Sequence, residues 1–388
     1  MRILHLIHSA GVYGAEAVLL YLAREQRACG HEPVIGSIRN PGTAQTPFEA
    51  RASSWGLAVA PISIPPRRPT PGVMRTMLHA VRDVAPDVLH SHGYKANILL
   101  GPLPRRWRGP MVTTLHGWTA PRLLSALWLY ERLDQFCLRR IDSIVVVARH
   151  MLRLPALRHI PGSRTQVIEN GIPSLSERLA DLAARDCAPL PGELVDFVAR
   201  RPTLVAIGRL SPEKGFLLLL EAFSRARLTG AAEAQLVIVG EGPERAQLAQ
   251  RIPELALAGC VRLAGYVDGA DRLLQHAHGF VMSSLTEGLP LVLLEAMQWS
   301  VPILATAVGA IPDLLAEQGG LLVPPNDVEA LAGGITRLLA ADAPRTVLAD
   351  ARAASETYTS VAMARRYLDV YRAIREVAGQ GASEGGRV

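Results

Sequence analysis

Residues 203–225 read Thr-Leu-Val-Ala-Ile-Gly-Arg-Leu-Ser-Pro-Glu-Lys-Gly-Phe-Leu-Leu-Leu-Leu-Glu-Ala-Phe-Ser-Arg. The first five, Thr203 to Ile207, form a short apolar run of strand length. Gly208 to Gly215 interrupt it with Gly, Ser and Pro, the residues that mark a turn. From Phe216 to Arg225 apolar residues recur three or four apart, the spacing of a helix with one buried face. Strand, turn and helix in that order make one repeat of a parallel sheet, where each strand needs a crossover connection.

The alternation continues in both directions. Downstream, Gln235 to Val239, Val261 to Leu263, Gly279 to Met282, Pro302 to Ala305 and Gly320 to Val323 read as strands, and Glu329 to Leu339 as a helix. Upstream, Ile3 to Ile7, Pro33 to Ile38, Val88 to His90, Val112 to Leu115, Ser143 to Val147 and Gln166 to Ile168 read as strands. Most of these end in Gly, His, Ser or Asn, which puts polar groups at the carboxyl edge where open α/β sheets bind ligands. The prolines between Pro61 and Pro71 predict a loop.

A chain of 388 residues exceeds one ordinary α/β core, and Asn170-Gly171 followed by Pro173 marks a break. Two doubly wound domains are expected, 1–172 and 173–359. A helix over about 360–378 is expected to return to the first domain, and the Gly- and Ser-rich tail 379–388 to be disordered. With 49% apolar and 20% charged residues, nothing else in the composition favours disorder.

Cys29, Cys137, Cys187 and Cys260 are scattered, without C-x-x-C pairs, so neither a zinc site nor a disulfide framework is indicated. The segment Met1 to His8 is a poor signal-peptide core, and no apolar run has the roughly 18 residues of a membrane span. A cytoplasmic protein is expected, placed if at a membrane then at its inner face. The net charge of +6 is unevenly spread: residues 1–170 hold 21 Arg or Lys against 10 Asp or Glu, and the remainder holds 20 against 25. No stacking motif or recognition helix points to nucleic acid. The basic half suits a solubilising surface or a patch facing anionic lipid, the latter through Arg105, Arg106, Trp107, Arg108 and the apolar stretch Leu123 to Leu129.

Two motifs carry the chemistry. In the turn after Ile207, a candidate donor-binding turn that starts at Gly208, Arg209 and Lys214 place two cations at the sheet edge, where a diphosphate needs fixed positive charge. Lys214 is one of only two lysines in the chain, so the position is not filled by the arginine common elsewhere. The second motif runs Thr286-Glu287-Gly288-Leu289-Pro290-Leu291-Val292-Leu293-Leu294-Glu295. Pro290 reads as the first residue of a helix, where a missing N–H costs nothing. Glu287 then precedes the helix and Glu295 lies in its second turn. The amides of Gly288, Leu289 and Leu291 make an anion site, and the two carboxylates suit sugar and ribose hydroxyls.

On these motifs together the chain resembles the retaining GT-B glycosyltransferases of glycosyltransferase family 4, glycogen-synthase-like in layout. The likeness covers nearly the whole chain. It implies two Rossmann-like domains facing across a cleft, with the acceptor on the first and a nucleotide diphosphate sugar on the second. It implies that Arg209 and Lys214 hold the donor pyrophosphate, that Glu287 and Glu295 bind the donor sugar and the ribose, and that the backbone of Tyr266 and Val267 reads the nucleobase. The turn Gly240-Glu241-Gly242-Pro243 matches a structural turn of the family. In the first domain Gly11-Val12-Tyr13-Gly14-Ala15-Glu16 matches a glycine-rich loop near donor phosphate and acceptor. Gly14 is then a donor contact, and Gly11 and Tyr13 are acceptor contacts. Tyr13 stands where the family often has a second glycine. His116 matches a histidine beside the reacting sugar, and His92 is placed on the acceptor side.

The resemblance further implies retention of configuration, the diphosphate being met by Arg209, Lys214 and helix N-termini. The chain has no Asp-x-Asp, so no metal is expected, and no cofactor; the nucleotide sugar is a substrate. The expected acceptor is a glycan or lipid-linked acceptor of bacterial-type surface polysaccharide or glycoconjugate synthesis. A nucleotide-sugar epimerase of the same architecture lacks the Glu-x7-Glu pair. A NAD-dependent dehydrogenase needs G-x-G-x-x-G, which Gly11 and Gly14 do not supply. A catalytically silent sugar-nucleotide binding module would carry the same residues.

Overall fold

The computed structural model describes residues 1–8, 11–65, 70–117, 126–184, 189–315, 319–340 and 355–384. The chain divides into two compact units, Met1–Gly171 with Ser360–Val388, and Ile172–Thr359. Ile172 pairs with Thr359, so the chain enters and leaves the second unit at neighbouring points.

The first unit is built on β1 (Arg2–Ile7), β2 (Glu32–Arg39), β3 (Ala58–Ser63), β4 (Val88–Ser91), β5 (Met111–Leu115), β6 (Ser143–Val146) and β7 (Thr165–Val167). They form one sheet in the order β3-β2-β1-β4-β5-β6-β7, every pair parallel. β1, β4, β5 and β6 are buried almost throughout, which is why they read as continuous apolar runs. The strand order reverses between β1 and β4, and that is where open sheets of this kind bind ligands.

The second unit repeats the plan with β8 (Thr203–Ile207), β9 (Gln235–Val239), β10 (Val261–Gly265), β11 (Gly279–Met282), β12 (Ile303–Thr306) and β13 (Leu321–Val323), ordered β10-β9-β8-β11-β12-β13. Its reversal lies between β8 and β11. The core on one side of this sheet packs Leu204, Ala206, Leu236 and Ile238 against Leu219, Phe223 and Ala226 of the helix Phe216–Thr229 and Leu331 and Ile335 of the helix Val328–Leu339.

Three local expectations are corrected. The proline-rich stretch begins with a strand: Pro61 lies inside β3, which is an edge strand and therefore has no outer neighbour requiring the missing N–H. Of that stretch, Pro66 and Pro69 lie outside the described residues, as do Cys187 and the residues from 123 to 125 of the apolar stretch. The tail does not lose its structure at Gly379, because the C-terminal helix runs Ser360–Glu384. Its buried residues Met363, Ala364, Tyr367, Leu368, Val370 and Tyr371 nucleate the helix on the first unit, after which each added residue costs little. The positions from 385 on lie outside the described residues.

The third correction concerns the basic cluster. Arg108 is buried, donates to Asp142 Oδ2 at 2.9 Å and to the Arg140 carbonyl at 2.7 Å, and Arg105 pairs with Asp142 Oδ1 at 3.3 Å. Arg105 also donates to the carbonyl of Ile374 in the C-terminal helix. Both are structural cations, tied to a carboxylate more than thirty residues away in sequence, which a local charge count does not reveal.

Candidate functional site

In the second unit the two motifs follow β8 and β11, the strands on either side of the order reversal. The loops are joined backbone to backbone: the Leu285 amide donates to the Glu213 carbonyl at 2.8 Å, and Ser283 Oγ donates to the Lys214 carbonyl at 3.0 Å. Gly215 makes this approach possible. It has φ +64°, and a methyl there would lie 2.3 Å from the Ser283 carbonyl oxygen. The result is that Lys214 Nζ donates to Glu287 Oε1 at 2.5 Å, with Ser284 Oγ donating to the same oxygen at 2.7 Å. Both partners are partly buried, so the pair is screened less than a surface ion pair.

The turn 240–243 braces the first motif from behind. The Leu210 amide donates to the Glu241 carbonyl at 2.9 Å and the Glu244 amide to the Leu210 carbonyl at 3.0 Å. Gly309 does the same for the second motif: it has φ +60°, and a methyl there would lie 2.3 Å from the Glu287 carbonyl oxygen. Thr306 Oγ1 donates to the Ser284 carbonyl at 2.5 Å. Ser284 and Thr306 are supports that spacing alone did not single out.

Arg209 and Tyr266 are exposed, Gly208 and Val267 partly buried, and Gly288, Leu289, Pro290 and Leu291 buried. The helix spans Leu291–Gln298, so Pro290 is the residue before it rather than its first. Its ψ of 126° is extended, and a proline φ near −76° suits that as well as a helix. The Gly288 carbonyl accepts from the Ala310 amide at 3.0 Å.

Glu295 stands in the second turn of this helix, beside a buried polar network. Arg178 donates to Asp271 and, twice, to Gln298 Oε1 at 3.2 and 2.8 Å, and Trp299 Nε1 donates to Asp271 Oδ2 at 2.9 Å. Burial and the Asp271 carboxylate push the Glu295 carboxyl above the usual range, against the pull of Arg178. None of Arg178, Asp271 and Gln298 was legible as a site neighbour, because Arg178 lies 120 positions before Gln298.

In the first unit, Tyr13 is exposed and its amide donates to Glu16 Oε2 at 3.2 Å, which starts the helix Gly14–Ala28. Gly11 packs against the Tyr13 ring, whereas a methyl at Gly14 would meet no protein atom within 4 Å. His116 follows β5 and is joined to His92: His92 Nδ1 and His116 Nε2 are 3.0 Å apart. His92 Nε2 is 3.1 Å from His5 Nδ1. Both ring nitrogens of His92 are thus engaged inside the protein, so this buried residue holds His116 in place instead of facing an acceptor. Burial lowers the His116 and His5 imidazoles to about 4, and His90 and His92 lie well below their ordinary value, burial first and the neighbouring imidazoles second.

Among the described residues one group with metal-ligand spacing is found, His5, His90 and His92, whose ring nitrogens lie within 4.8 Å of one another. Each of those nitrogens already has a protein partner: Gln26 and His92 on His5, His5 and His116 on His92, Tyr371 and Thr114 on His90. The trio is a hydrogen-bonded cluster.

Residues 12–174 match the family described as Glycosyltransferase Family 4, and residues 201–341 match Glycosyl transferases group 1. The glycogen synthase of Mycobacterium tuberculosis is 27% identical over 350 residues, covering 85% of this chain and 78% of its own. The putative teichuronic acid biosynthesis glycosyltransferase TuaC of Bacillus subtilis is 29% identical over 289 residues, covering 70% and 66%. Among solved structures, Anabaena HepE in complex with UDP and glucose superposes with a TM-score of 0.78 at 19% identity, covering 96% of this chain and 100% of that one. Two parallel sheets of this order, matched in turn by the two halves of one enzyme family, leave one assignment: the chain belongs to the family 4 glycosyltransferases and has their GT-B fold.

Proposed function

We propose that the protein moves a hexose from a nucleotide diphosphate sugar to a glycan or lipid-linked acceptor, with retention of anomeric configuration and without a metal ion. The observation that carries this reading is the Lys214–Glu287 contact of 2.5 Å at the carboxyl ends of β8 and β11. A fixed cation beside a fixed carboxylate suits a ligand that is anionic at one end and rich in hydroxyls at the other. Lys214, with Arg209 on the same turn, meets the charge that grows on the departing diphosphate, usually the largest single catalytic term. Glu287 orients Lys214, and its second oxygen accepts from sugar hydroxyls. Glu295 takes the ribose, the backbone of Tyr266 and Val267 the base, and the amides of Gly288, Leu289 and Leu291 the phosphates.

The step balances without a protein nucleophile. The acceptor hydroxyl forms its bond to the anomeric carbon on the face from which the diphosphate departs, and its proton passes to the departing phosphate oxygen. His116 contacts the donor hexose, and the open space at Gly14 lets backbone approach the phosphate. The complexes of HepE with UDP and with UDP-glucose support a uridine donor over a guanosine one, and the likeness to TuaC, a putative teichuronic acid biosynthesis glycosyltransferase, supports a surface polysaccharide as product.

The protein contacts the anionic cytoplasmic membrane face through the first unit. No helix among the described residues is long and apolar enough to cross a membrane. Leu129, Leu133 and Phe136 are exposed along one side of the helix Ala126–Leu138, and Trp107 is exposed beneath the Arg106 guanidinium. Flotation with anionic vesicles at low salt should carry the protein up; protein remaining at the bottom rejects this contact. For the reaction itself, the purified protein is assayed with UDP- and GDP-hexoses in EDTA and the product anomer is read by NMR. Transfer with the donor's own anomeric configuration is expected, and an inverted product or a strict metal requirement would overturn the mechanism.

A further inference from the structure

The buried row that ends at His116 begins at a glutamine. Gln26 Oε1 is 2.8 Å from His5 Nε2, His5 Nδ1 is 3.1 Å from His92 Nε2, and His92 Nδ1 is 3.0 Å from His116 Nε2. The last nitrogen, His116 Nδ1, is buried and has no partner among the described residues. A neutral imidazole has one N–H and one lone pair, so along such a row every ring must point its N–H the same way. The low basicity of His5, His92 and His116 keeps all three neutral near pH 7.

The direction is set at the glutamine. An amide oxygen only accepts, so His5 donates from Nε2 and accepts at Nδ1 from His92 Nε2–H. His92 in turn accepts at Nδ1 from His116 Nε2–H. A second row leaves the other end of the same amide. Gln26 Nε2 donates to Tyr371 Oη at 3.3 Å, Tyr371 Oη lies 2.6 Å from His90 Nδ1, His90 Nε2 lies 2.7 Å from Thr114 Oγ1, and Thr114 Oγ1 lies 2.9 Å from Tyr367 Oη. Turning the amide would reverse both rows at once, so the orientation of this one amide sets the polarity of both.

We propose that Gln26 is a positioning residue for His116: acting through His5 and His92, it holds the imidazole as the Nε2–H tautomer and leaves Nδ1 as a bare acceptor for a hydroxyl of the donor hexose. The use of that acceptor rests on the hexose-contact reading of His116; the tautomer does not. A metal ion in the His5–His90–His92 cluster would need the lone pairs that these two rows already consume.

The test is the proton–nitrogen correlation spectrum of histidine-labelled full-length protein near pH 7.5, with Gln26→Leu as the variant. In the wild type, His116 should show one tautomer, protonated at Nε2. In Gln26→Leu the Nδ1-protonated form should grow in, and kcat/KM for the donor sugar should fall about fivefold to tenfold, the worth of one hydrogen bond, while the affinity for free UDP stays unchanged. A wild-type His116 protonated at Nδ1, or a variant with the wild-type tautomer, would overturn the proposal. The wild-type spectrum decides the tautomer even if the variant does not fold, and it does so whether or not the protein transfers sugar.

Discussion

Lys214 Nζ sits 2.5 Å from Glu287 Oε1, although the two residues are 73 positions apart. Lys214 belongs to the loop after β8 and Glu287 to the loop after β11, and only the parallel pairing of those two strands makes them neighbours. With Ser284 donating to the same carboxylate oxygen, the carboxylate that receives the lysine is itself held in place.

Lys214→Ala should lower turnover by about 10²- to 10³-fold, the range for losing one donor aimed at developing charge. The melting temperature should move little, because the lysine lies on a partly exposed turn. Glu287→Ala should also lower turnover, and the double variant should lose less than the two single losses combined, since each removes the same contact. Steady-state kinetics on the four proteins reads this, and strictly additive losses would separate the two residues' roles.

Gly215→Ala should destabilise the second unit by about 1–3 kcal/mol, the usual cost of a non-glycine residue in a left-handed conformation that also crowds backbone. The cause is its φ of +64° and the Ser283 carbonyl oxygen 2.3 Å from where the methyl would go. Activity should fall along with stability, because the same contact joins the two loops. Urea unfolding checks the first, and an unchanged midpoint would contradict it.

How much of this was legible varies with the distance between partners. β8, β9 and β11 were read with their observed bounds, since a buried parallel strand is a short apolar run whatever surrounds it. β3 was hidden because Pro61 argues against a central strand, and the sequence does not say which strand is at the edge. The motif residues were visible as residue types in turns, whereas the supports were not. Gln26 reaches Tyr371 across 345 positions, and Arg108 reaches Asp142 across 34. Such pairings follow from topology, and a local pattern carries no trace of them. His92 was placed on the acceptor side for the same reason: its partners His5 and His116 come from other strands.

The buried imidazoles make the protein acid-sensitive. Their folded values are depressed, to about 4 for His5 and His116, below the 6.5 of an unfolded chain. The unfolded state therefore binds more protons, and stability present above pH 6.5 is lost as pH falls through 4. The free energy of unfolding in urea, measured from pH 7.5 to 4.5, should decline, and His5→Leu should flatten the decline. A rise in stability toward acid would contradict the neutral assignment.

Asp134 works in the opposite sense. Burial, more than the charge of Glu131, raises its carboxyl to about 6, against the opposing pull of the Asn97 amide. Its contribution is present below the unfolded value near 3.8 and is lost as pH rises through 6. Asp134→Asn should thus be more stable than wild type at pH 7.5, by about 1–3 kcal/mol, and lose that advantage at pH 4. Equal pH profiles for the two proteins would show that Asp134 ionises normally.

Donor binding turns on Lys214 holding the diphosphate, as proposed above. Calorimetric titration of wild type and Lys214→Ala with UDP and GDP in EDTA tests it without requiring an acceptor. Metal-free binding of one nucleotide by the wild type is expected, with affinity weaker by about tenfold or more in the variant, the loss of one charge-assisted hydrogen bond. Equal affinity in the two proteins would contradict it.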